Sequence, residues 1–499
     1  MQFDRLLAVC VLSLLGSLPI KGQSTPAPAF PPGRQTRLGW EPGRLPRILV
    51  GDSRRFLTDR GQPFVPMGVN YFRPGTGWAP QVWRQFDPDA TRKDFARLKE
   101  LGANCVRVFL TFGSFYTEPG VLSEDGLAKF DRFLALAEEA GLYVHPTGPD
   151  HWEGLPQWAR GDRYAEESVL TALETFWRLL AQRYRERNVI FAYDLLNEPE
   201  IGWDSPAMRR RWNIWLANTY PAADQLKSAW GETNSPVELG SVPVPRRDTF
   251  PGRKLADYQR FREELAEEWT RRQVEAIKSA DPLALVTVGL IQWSVPVLLA
   301  GPSQYSGFRP QRLAPLLDFM EVHFYPLARG FYEYTGPEDE ARNLAYLESV
   351  VREVARCGKP TVLAEFGWYG GGKPTINEGK HPFATEEQQA QWCRRAIETT
   401  AGLAGGWLNW GFHDHPGARD VTEFIGLLAA DGQLKAWGKA FREIAARFHD
   451  HGLPAPKPIE RPDPDWDKLI TDRKAVSEFR EKYYQAFRAA DSASPCASD

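Results

Sequence analysis

The sequence predicts an α/β fold: a (β/α)8 TIM barrel with an N-terminal hairpin and a helical insertion after the fourth strand. Eight apolar runs typical of buried strands alternate with stretches whose apolar residues recur at three- and four-residue spacing. Polar or ionisable residues follow nearly every run, as they do at the carboxyl ends of barrel strands. No Gly-rich phosphate loop follows the first run, which disfavours the alternative, a doubly wound open sheet.

The N-terminal 45 residues are predicted to lie outside the barrel. Residues 1–22 are typical of a secretory signal peptide, because Arg5 precedes an apolar stretch that ends at Ile20. That stretch is short for a membrane span, and an uncleaved anchor stays open as an alternative. Residues 23–45 form a Pro-rich linker. We therefore expect a secreted or periplasmic protein.

Residues 46–450 are predicted to form the barrel. Two short β patterns flank Asp59-Arg60-Gly61 and indicate the hairpin. Stretches with apolar residues at three- and four-residue spacing, which predict helices, separate most of the barrel strands. The strand-like runs end near Tyr71, Leu110, Pro146, Asn197, Leu290, Tyr325, Phe366 and Asn409.

The segment after the fourth strand is too long for a plain crossover. Residues from about 200 to 255 are rich in tryptophan, and we interpret them as a helical cap on the face where the strands end. The alternative is a surface elaboration with its own small core. Residues 451–499 are predicted to hold a Pro-rich segment, an amphipathic helix from about 467 to 489, and a tail.

Composition and charge narrow the function classes. Hydrophobic residues make up 42% and charged residues 25% of the chain, which is typical of a globular protein with a core. The net charge of −3 gives no reason to expect nucleic acid or a stable membrane partner. The oligomeric state stays open. Cys357 and Cys393 lie on neighbouring predicted helices and could pair.

Two glutamates give the strongest indication of chemistry. The motif Asn197-Glu198-Pro199 closes the fourth strand, and Glu365 closes the seventh. Glycoside hydrolysis needs two carboxyl groups flanking one bond, one to protonate the leaving oxygen and one to attack or to activate water. Only the fold can bring two residues so distant in sequence to one bond.

On these motifs the chain resembles glycoside hydrolase family 5, in particular its cellulase- and mannanase-like members, within a clan of retaining (β/α)8-barrel glycosidases. The resemblance covers about residues 46–450. The Trp-Gly-Glu run at 230–232 resembles β-galactosidase relatives of the same clan. The other matching landmarks are Arg107 at the second strand, His323-Phe324-Tyr325-Pro326 at the sixth, Phe366 and Gly367 after Glu365, and Trp410 at the eighth.

The resemblance implies roles for the two glutamates. Glu198 would be the general acid/base, with a pKa raised by a low-dielectric wall or a nearby negative charge. Glu365 would be the nucleophile, kept ionised by Arg107 and by a hydrogen bond from Tyr325, and it would form a covalent glycosyl-enzyme.

Five further residues are implied in substrate binding. Asn197 would donate a hydrogen bond to the sugar 2-hydroxyl, His323 would line the site near the acid/base, and Trp410 would stack under the sugar. His151 and Trp152, which follow the third strand, are expected to line the pocket. The implied mechanism needs no cofactor, and no ligand spacing in the sequence demands a metal.

The expected substrate is a β-linked polysaccharide or oligosaccharide, with mannan and glucan as the leading polymers. One alternative is an exo-acting β-galactosidase or β-glucosidase, which the insertion favours. Another is a non-catalytic carbohydrate-binding barrel, against which the retained pair of glutamates argues. The sequence leaves hydrolysis and transglycosylation undistinguished, because both pass through the same covalent intermediate.

Overall fold

A computed structural model shows the fold from residue 45 onwards. The predicted signal peptide, the linker before residue 45 and the extreme C-terminal tail lie outside the described residues. The structure describes residues 45–51, 54–75, 81–233, 237–247, 251–326, 334, 336–376, 381–418, 420–456 and 459–493.

A small antiparallel sheet precedes the barrel and confirms the predicted hairpin. Its strands are β1 (Ile48–Val50), β2 (Phe56–Thr58) and β3 (Pro63–Phe64). The ring of Phe56 lies edge-on against Phe191 and Phe319, with centroids 5.1 Å away in each case. Edge-to-face aromatic pairs of this kind stabilise packing beyond the area they bury. The sheet is thereby held against the aromatic cluster at the N-terminal end of the barrel.

Eight parallel strands close into a barrel, which confirms the predicted fold class. Consecutive strands are neighbours, and the last strand pairs with the first to complete the ring. The strands are β4 (Met67–Asn70), β5 (Cys105–Thr111), β6 (Tyr143–Asp150), β7 (Tyr193–Asn197), β8 (Val286–Leu290), β9 (Met320–Phe324), β10 (Thr361–Phe366) and β11 (Gly406–Asn409).

Helices surround the barrel, and local signals set several of their ends. Asp87 caps one helix before a proline at its first position, and Thr385 and Gln388 form a reciprocal capping box on another. The helices are α1 (Gln81–Arg84), α2 (Pro88–Glu100), α3 (Phe112–Phe115), α4 (Glu124–Ala140), α5 (Glu167–Tyr184), α6 (Pro206–Thr219), α7 (Ala223–Trp230), α8 (Arg253–Ala280), α9 (Pro310–Leu313), α10 (Pro337–Ala355), α11 (Glu386–Thr400), α12 (Ala436–His451), α13 (Trp466–Leu469) and α14 (Arg473–Ala493).

The insertion after β7 contains α6 and α7, which pack on α8. Trp212 is buried between Trp215 and Trp230, with centroid distances of 5.4 and 6.3 Å and nearly parallel rings. The two outer indoles donate hydrogen bonds to Glu264 and Asp257 of α8. The stacked indoles give the insertion a small core of its own, which favours the alternative interpretation as a surface elaboration. A cap over the strand ends stays a prediction.

The possible disulfide between Cys357 and Cys393 is not formed, and both thiols are free. Burial raises the pKa of the Cys393 thiol to about 12, which keeps it protonated and unreactive at neutral pH. Within the described part of the chain, no helix is long and apolar enough to cross a membrane.

A buried ion pair attaches the C-terminal segment to α10. Glu348 accepts hydrogen bonds from Arg461 Nε at 2.6 Å and Nη2 at 3.1 Å, and from the hydroxyl of Tyr483 at 2.8 Å. The Arg461 and Glu348 side chains are only 3% and 6% exposed. A charge buried to this degree is tolerated because it is paired.

We predict that Glu348→Ala lowers the free energy of unfolding by about 3–5 kcal/mol, since it leaves the Arg461 guanidinium buried without its carboxylate. Urea unfolding would measure the change. Glu478→Gln is the matched control, because it removes an exposed carboxylate from the same C-terminal segment and should cost less than about 0.5 kcal/mol. Equal effects of the two variants would contradict the prediction.

Candidate active site

The guanidinium of Arg107 lies at the centre of a buried polar network inside the barrel. Its Nη1 donates to Glu365 Oε1 at 2.7 Å and to Asn70 Oδ1 at 2.8 Å. Its Nη2 donates to Asp194 Oδ2 at 2.7 Å and to Asn197 Oδ1 at 2.9 Å. Strands β4, β5, β7 and β10 supply these side chains, so that one cation joins four strands of the barrel.

Glu365 lies at the base of this site. Its side chain is 4% exposed, and its second oxygen, Oε2, accepts a hydrogen bond of 2.9 Å from the Tyr325 hydroxyl. Burial raises the pKa of Glu365, whereas the positive charges of His323 and Arg107 oppose that rise. The two cations therefore favour the ionised form of a carboxyl group that burial alone would neutralise.

Tyr325 is suited to donate that hydrogen bond at any ordinary pH. Burial and the negative charges of Glu365 and Glu198 raise the pKa of its phenol well above the usual value. The hydroxyl consequently keeps its proton and can donate a hydrogen bond to Glu365.

Glu198 occupies the end of β7 in an uncommon backbone conformation. Its φ of +46° lies in the left-handed region, which an L-residue adopts rarely and at a cost of about 1–3 kcal/mol. Its backbone N–H donates to the carbonyl of Gly289 at 2.8 Å. The side chain is 28% exposed, so Glu198 reaches solvent whereas Glu365 does not.

His323 lies between the two glutamates. Its Nδ1 is 3.1 Å from Glu198 Oε1 and 3.4 Å from Glu365 Oε1. Burial lowers the pKa of this imidazole, but Glu365, Glu198 and Glu321 raise it more, to about 9. His323 is therefore a cation at neutral pH that lies between the two carboxyl groups.

A further layer of buried charge supports the network, and the sequence did not indicate its acidic members. Glu321 Oε1 lies 3.3 Å from Arg107 Nε, and its Oε2 lies 2.8 Å from His145 Nε2. Although burial would raise the pKa of Glu321, His145, His323 and Arg107 hold it well below its usual value. Glu321 thus acts as a fixed anion that balances the buried positive charge of Arg107.

One signal could have identified this layer. Glu321, His323 and Tyr325 alternate along the sixth strand region, so strand periodicity places them on one face. Asp194 carries no such signal, because it stands alone among apolar residues. A glycine makes room for the layer: a Cβ at Gly289 would lie 2.9 Å from Asp194 Oδ2 and 3.1 Å from an Arg107 nitrogen.

The remaining predicted site residues fall into two places. Trp410 follows β11 and is 7% exposed. Its backbone N–H donates at 2.8 Å to the carbonyl of Phe366, the residue after Glu365. His151 and Trp152 lie beyond β6, where their rings stack at 4.4 Å and His151 Nδ1 lies 2.7 Å from Asp150. The structure brings Arg107, Asn197, Glu198, His323, Tyr325 and Glu365 together, with Trp410 beside them.

The spacing of the two glutamates limits what the site can do. One carboxylate oxygen of each lies within 4.8 Å of the other and of a His323 nitrogen. Such a triad has the donor atoms of a metal site. However, His323 is protonated at neutral pH, and Arg107 already pairs with Glu365. These three side chains are therefore poorly suited to binding a metal ion. The arrangement favours acid–base and nucleophilic chemistry.

We predict that His323 makes stability depend on pH. Because its folded-state pKa is raised to about 9, its contribution is complete below about pH 6.5 and is lost as pH rises through about 9. The difference in unfolding free energy between wild type and His323→Gln should therefore be largest near pH 6 and shrink towards pH 10. Exposed His449 offers a control, since His449→Gln should follow wild type throughout. A constant difference for His323→Gln would contradict the assignment.

The chain is similar in sequence to known glycoside hydrolases. The model of the family described as cellulase (glycosyl hydrolase family 5) matches residues 57–415. The chain is 22% identical over 354 residues to a putative mannan endo-1,4-beta-mannosidase 9 of Oryza sativa subsp. japonica, covering 62% of this chain and 69% of the relative. It is 21% identical over 326 residues to beta-galactosidase BglY of Alicyclobacillus acidocaldarius, covering 61% of this chain and only 45% of that protein.

Solved structures share the barrel fold. A GH5_18 variant from Streptomyces cattleya in complex with Manb1-4GlcNAc superposes with a TM-score of 0.58 at 20% identity, covering 85% of this chain and 93% of that one. A beta-galactosidase from Rahnella superposes with a TM-score of 0.64 at 16% identity, covering 83% and 63%. Since the family match spans most of the barrel, from Leu57 to His415, the chain belongs to glycoside hydrolase family 5.

Proposed function

We propose that this glycoside hydrolase cleaves β-linked mannan or glucan chains, or their oligosaccharides, by double displacement with retention. The observation that carries the proposal is the approach of the Glu198 and Glu365 carboxylates, whose oxygens lie within 4.8 Å. Retaining enzymes place the two carboxyl groups about 5–5.5 Å apart, whereas inverting enzymes need about 6.5–9.5 Å to admit a water molecule.

In this mechanism the two glutamates have different roles. Glu365, ionised between Arg107 and Tyr325, attacks the anomeric carbon as the bond to the leaving oxygen breaks. Glu198 is partly exposed and transfers its proton to that oxygen. It then takes a proton from water, which displaces Glu365 and regenerates the enzyme.

The other residues bind the sugar in this proposal. Arg107 holds the oxygen of the Asn197 amide, which leaves the amide nitrogen as the donor to the sugar 2-hydroxyl. Protonated His323 keeps the two glutamates at their spacing. Trp410 provides the stacking face, while His151 and Trp152 line the cleft farther out. The carbohydrate substrate is the proposed partner, and the signal-like residues 1–22 support a secreted or periplasmic location.

A second candidate is an exo-acting β-galactosidase or β-glucosidase. The helical insertion after β7 and the similarity to proteins named beta-galactosidase support it. Mannan stays the first candidate because the rice relative, of which the chain covers 69%, is named as a mannan endo-mannosidase.

We predict that Glu365→Gln lowers turnover by several orders of magnitude on every substrate, because the amide cannot form the glycosyl-enzyme. Glu198→Gln should lose about 10²–10⁴-fold on oligosaccharides, but less on nitrophenyl glycosides, whose leaving group needs little protonation. Reducing-sugar and nitrophenolate release measure both. Glu139→Gln, which alters an exposed carboxylate on α4, is the control. Similar losses of Glu198→Gln on both substrate types would exclude it as the acid.

We predict that a panel of mannan, glucan, xylan and galactan, with their oligosaccharides and nitrophenyl monosaccharides, shows preference for mannan or glucan. A nitrophenyl monosaccharide cleaved as fast as the best oligosaccharide would establish the exo-acting alternative. Tight sugar binding unaltered in Glu365→Gln, without turnover by wild type, would instead indicate a non-catalytic binding barrel.

A further inference from the structure

The strand pair that carries Glu198 contains a bulge. Along β7 and β8, Asp194 lies opposite Thr287, whereas Asn197 lies opposite Gly289. Three steps along β7 therefore correspond to two steps along β8, so that β7 has one extra residue ahead of Glu198. A bulge interrupts the ladder of backbone hydrogen bonds and re-aims the side chains beside it. The buried backbone groups around the bulge consequently need other partners.

The side chain of Asp194 supplies such a partner. Its Oδ1 accepts the backbone N–H of Gly289 at 2.7 Å and that of Leu196, inside the bulge, at 3.2 Å. Its Oδ2 accepts a hydrogen bond of 2.7 Å from Arg107 Nη2. The side chain is fully buried, and both of its oxygens are used. Asp194 thus joins the bulge of β7, the neighbouring strand β8 and the central cation.

Gly289 continues the connection from Asp194 to Glu198. Its N–H donates to Asp194, and its carbonyl accepts the backbone N–H of Glu198 at 2.8 Å. A side chain does not fit here, because a Cβ would lie 2.9 Å from Asp194 Oδ2 and 3.2 Å from His323 Cε1. The φ of Glu198 is +46°, and a left-handed residue of this kind persists only where the surrounding contacts enforce it.

We propose that Asp194 is a positioning residue for the acid/base, because through Gly289 it holds the backbone of Glu198 in the left-handed conformation. The φ torsion turns about the N–Cα bond of Glu198, so a hydrogen bond to that N–H fixes one side of the torsion. Without Asp194 the buried N–H of Gly289 loses its acceptor, which costs free energy until β8 shifts. Glu198 then relaxes to negative φ and turns away from His323. The inference rests on the proposed function, which gives Glu198 the acid/base role.

Asp194→Ala tests the inference, and Asn70→Ala is the matched control. Asn70 Oδ1 also accepts a hydrogen bond from Arg107, at 2.8 Å, but the Asn70 amide donates to the carbonyl of Ala364, next to Glu365. Both variants therefore remove a partner of the cation, whereas only Asp194→Ala removes the acceptor for Gly289. With a misplaced acid, kcat/KM should fall about 10- to 100-fold more on an oligosaccharide than on the matching nitrophenyl glycoside. Asn70→Ala should lower both by the same factor.

Added azide separates an acid/base defect from a general loss of structure. The azide anion forms a C–N bond to the anomeric carbon of the glycosyl-enzyme as the C–O bond to Glu365 breaks, and it needs no general base. It should raise kcat of Asp194→Ala on the nitrophenyl glycoside several-fold, but should leave wild type and Asn70→Ala unchanged. Equal losses on both substrates without azide rescue would give Asp194 a general structural role and overturn the inference.

A crystal structure of Asp194→Ala decides the inference separately from the proposed function. A negative φ at Glu198 supports it, and a φ unchanged near +46° overturns it. If wild type hydrolyses no glycoside, the proposed function falls, and this structure alone decides whether Asp194 holds the backbone of Glu198. If circular dichroism shows that Asp194→Ala has not folded, Gly289→Ala replaces it in every comparison, because the added Cβ forces Gly289 away from Asp194.

Discussion

The Arg107 guanidinium is the interaction on which the rest of the site depends. It is fully buried, and it pairs with Asp194, Glu321 and Glu365. A charge in such a place is stable only when the geometry of its partners is excellent, and breaking one pair leaves another charge uncompensated. The barrel strands that carry these groups are therefore held in a single relative arrangement.

That constraint gives the two glutamates different surroundings. Glu365 lies at depth, where Arg107, Tyr325 and His323 surround its carboxylate. Glu198 lies nearer the solvent, and its own backbone has a positive φ. The His323 imidazolium lies between Glu198 and Glu365. Two identical side chains thereby differ in burial, in charged partners and in access to solvent, and the proposed mechanism uses this difference.

The parts outside the barrel ring are stabilised by other means. The insertion relies on stacked indoles against α8, and the C-terminal segment relies on a carboxylate on α10. The loop after β11 differs from both, because the Thr422 hydroxyl accepts a hydrogen bond from Trp410 Nε1 and so attaches the loop to the end of the last strand. In a barrel whose centre is constrained by charge, such loops are where substrate selectivity can vary without disturbing the reacting groups.

The sequence by itself determined the barrel, the N-terminal hairpin and the strand ends that carry Glu198 and Glu365, because strand and helix periodicities are local properties. The third strand was the least well bounded, since β6 continues to Asp150 beyond the predicted end near Pro146. Only the tertiary structure decided which groups meet. Arg107 and Glu365 are 258 residues apart, and closure of the barrel sets their contact. The same holds for Asp194 and Glu321, whose partners lie on other strands that no local pattern identifies.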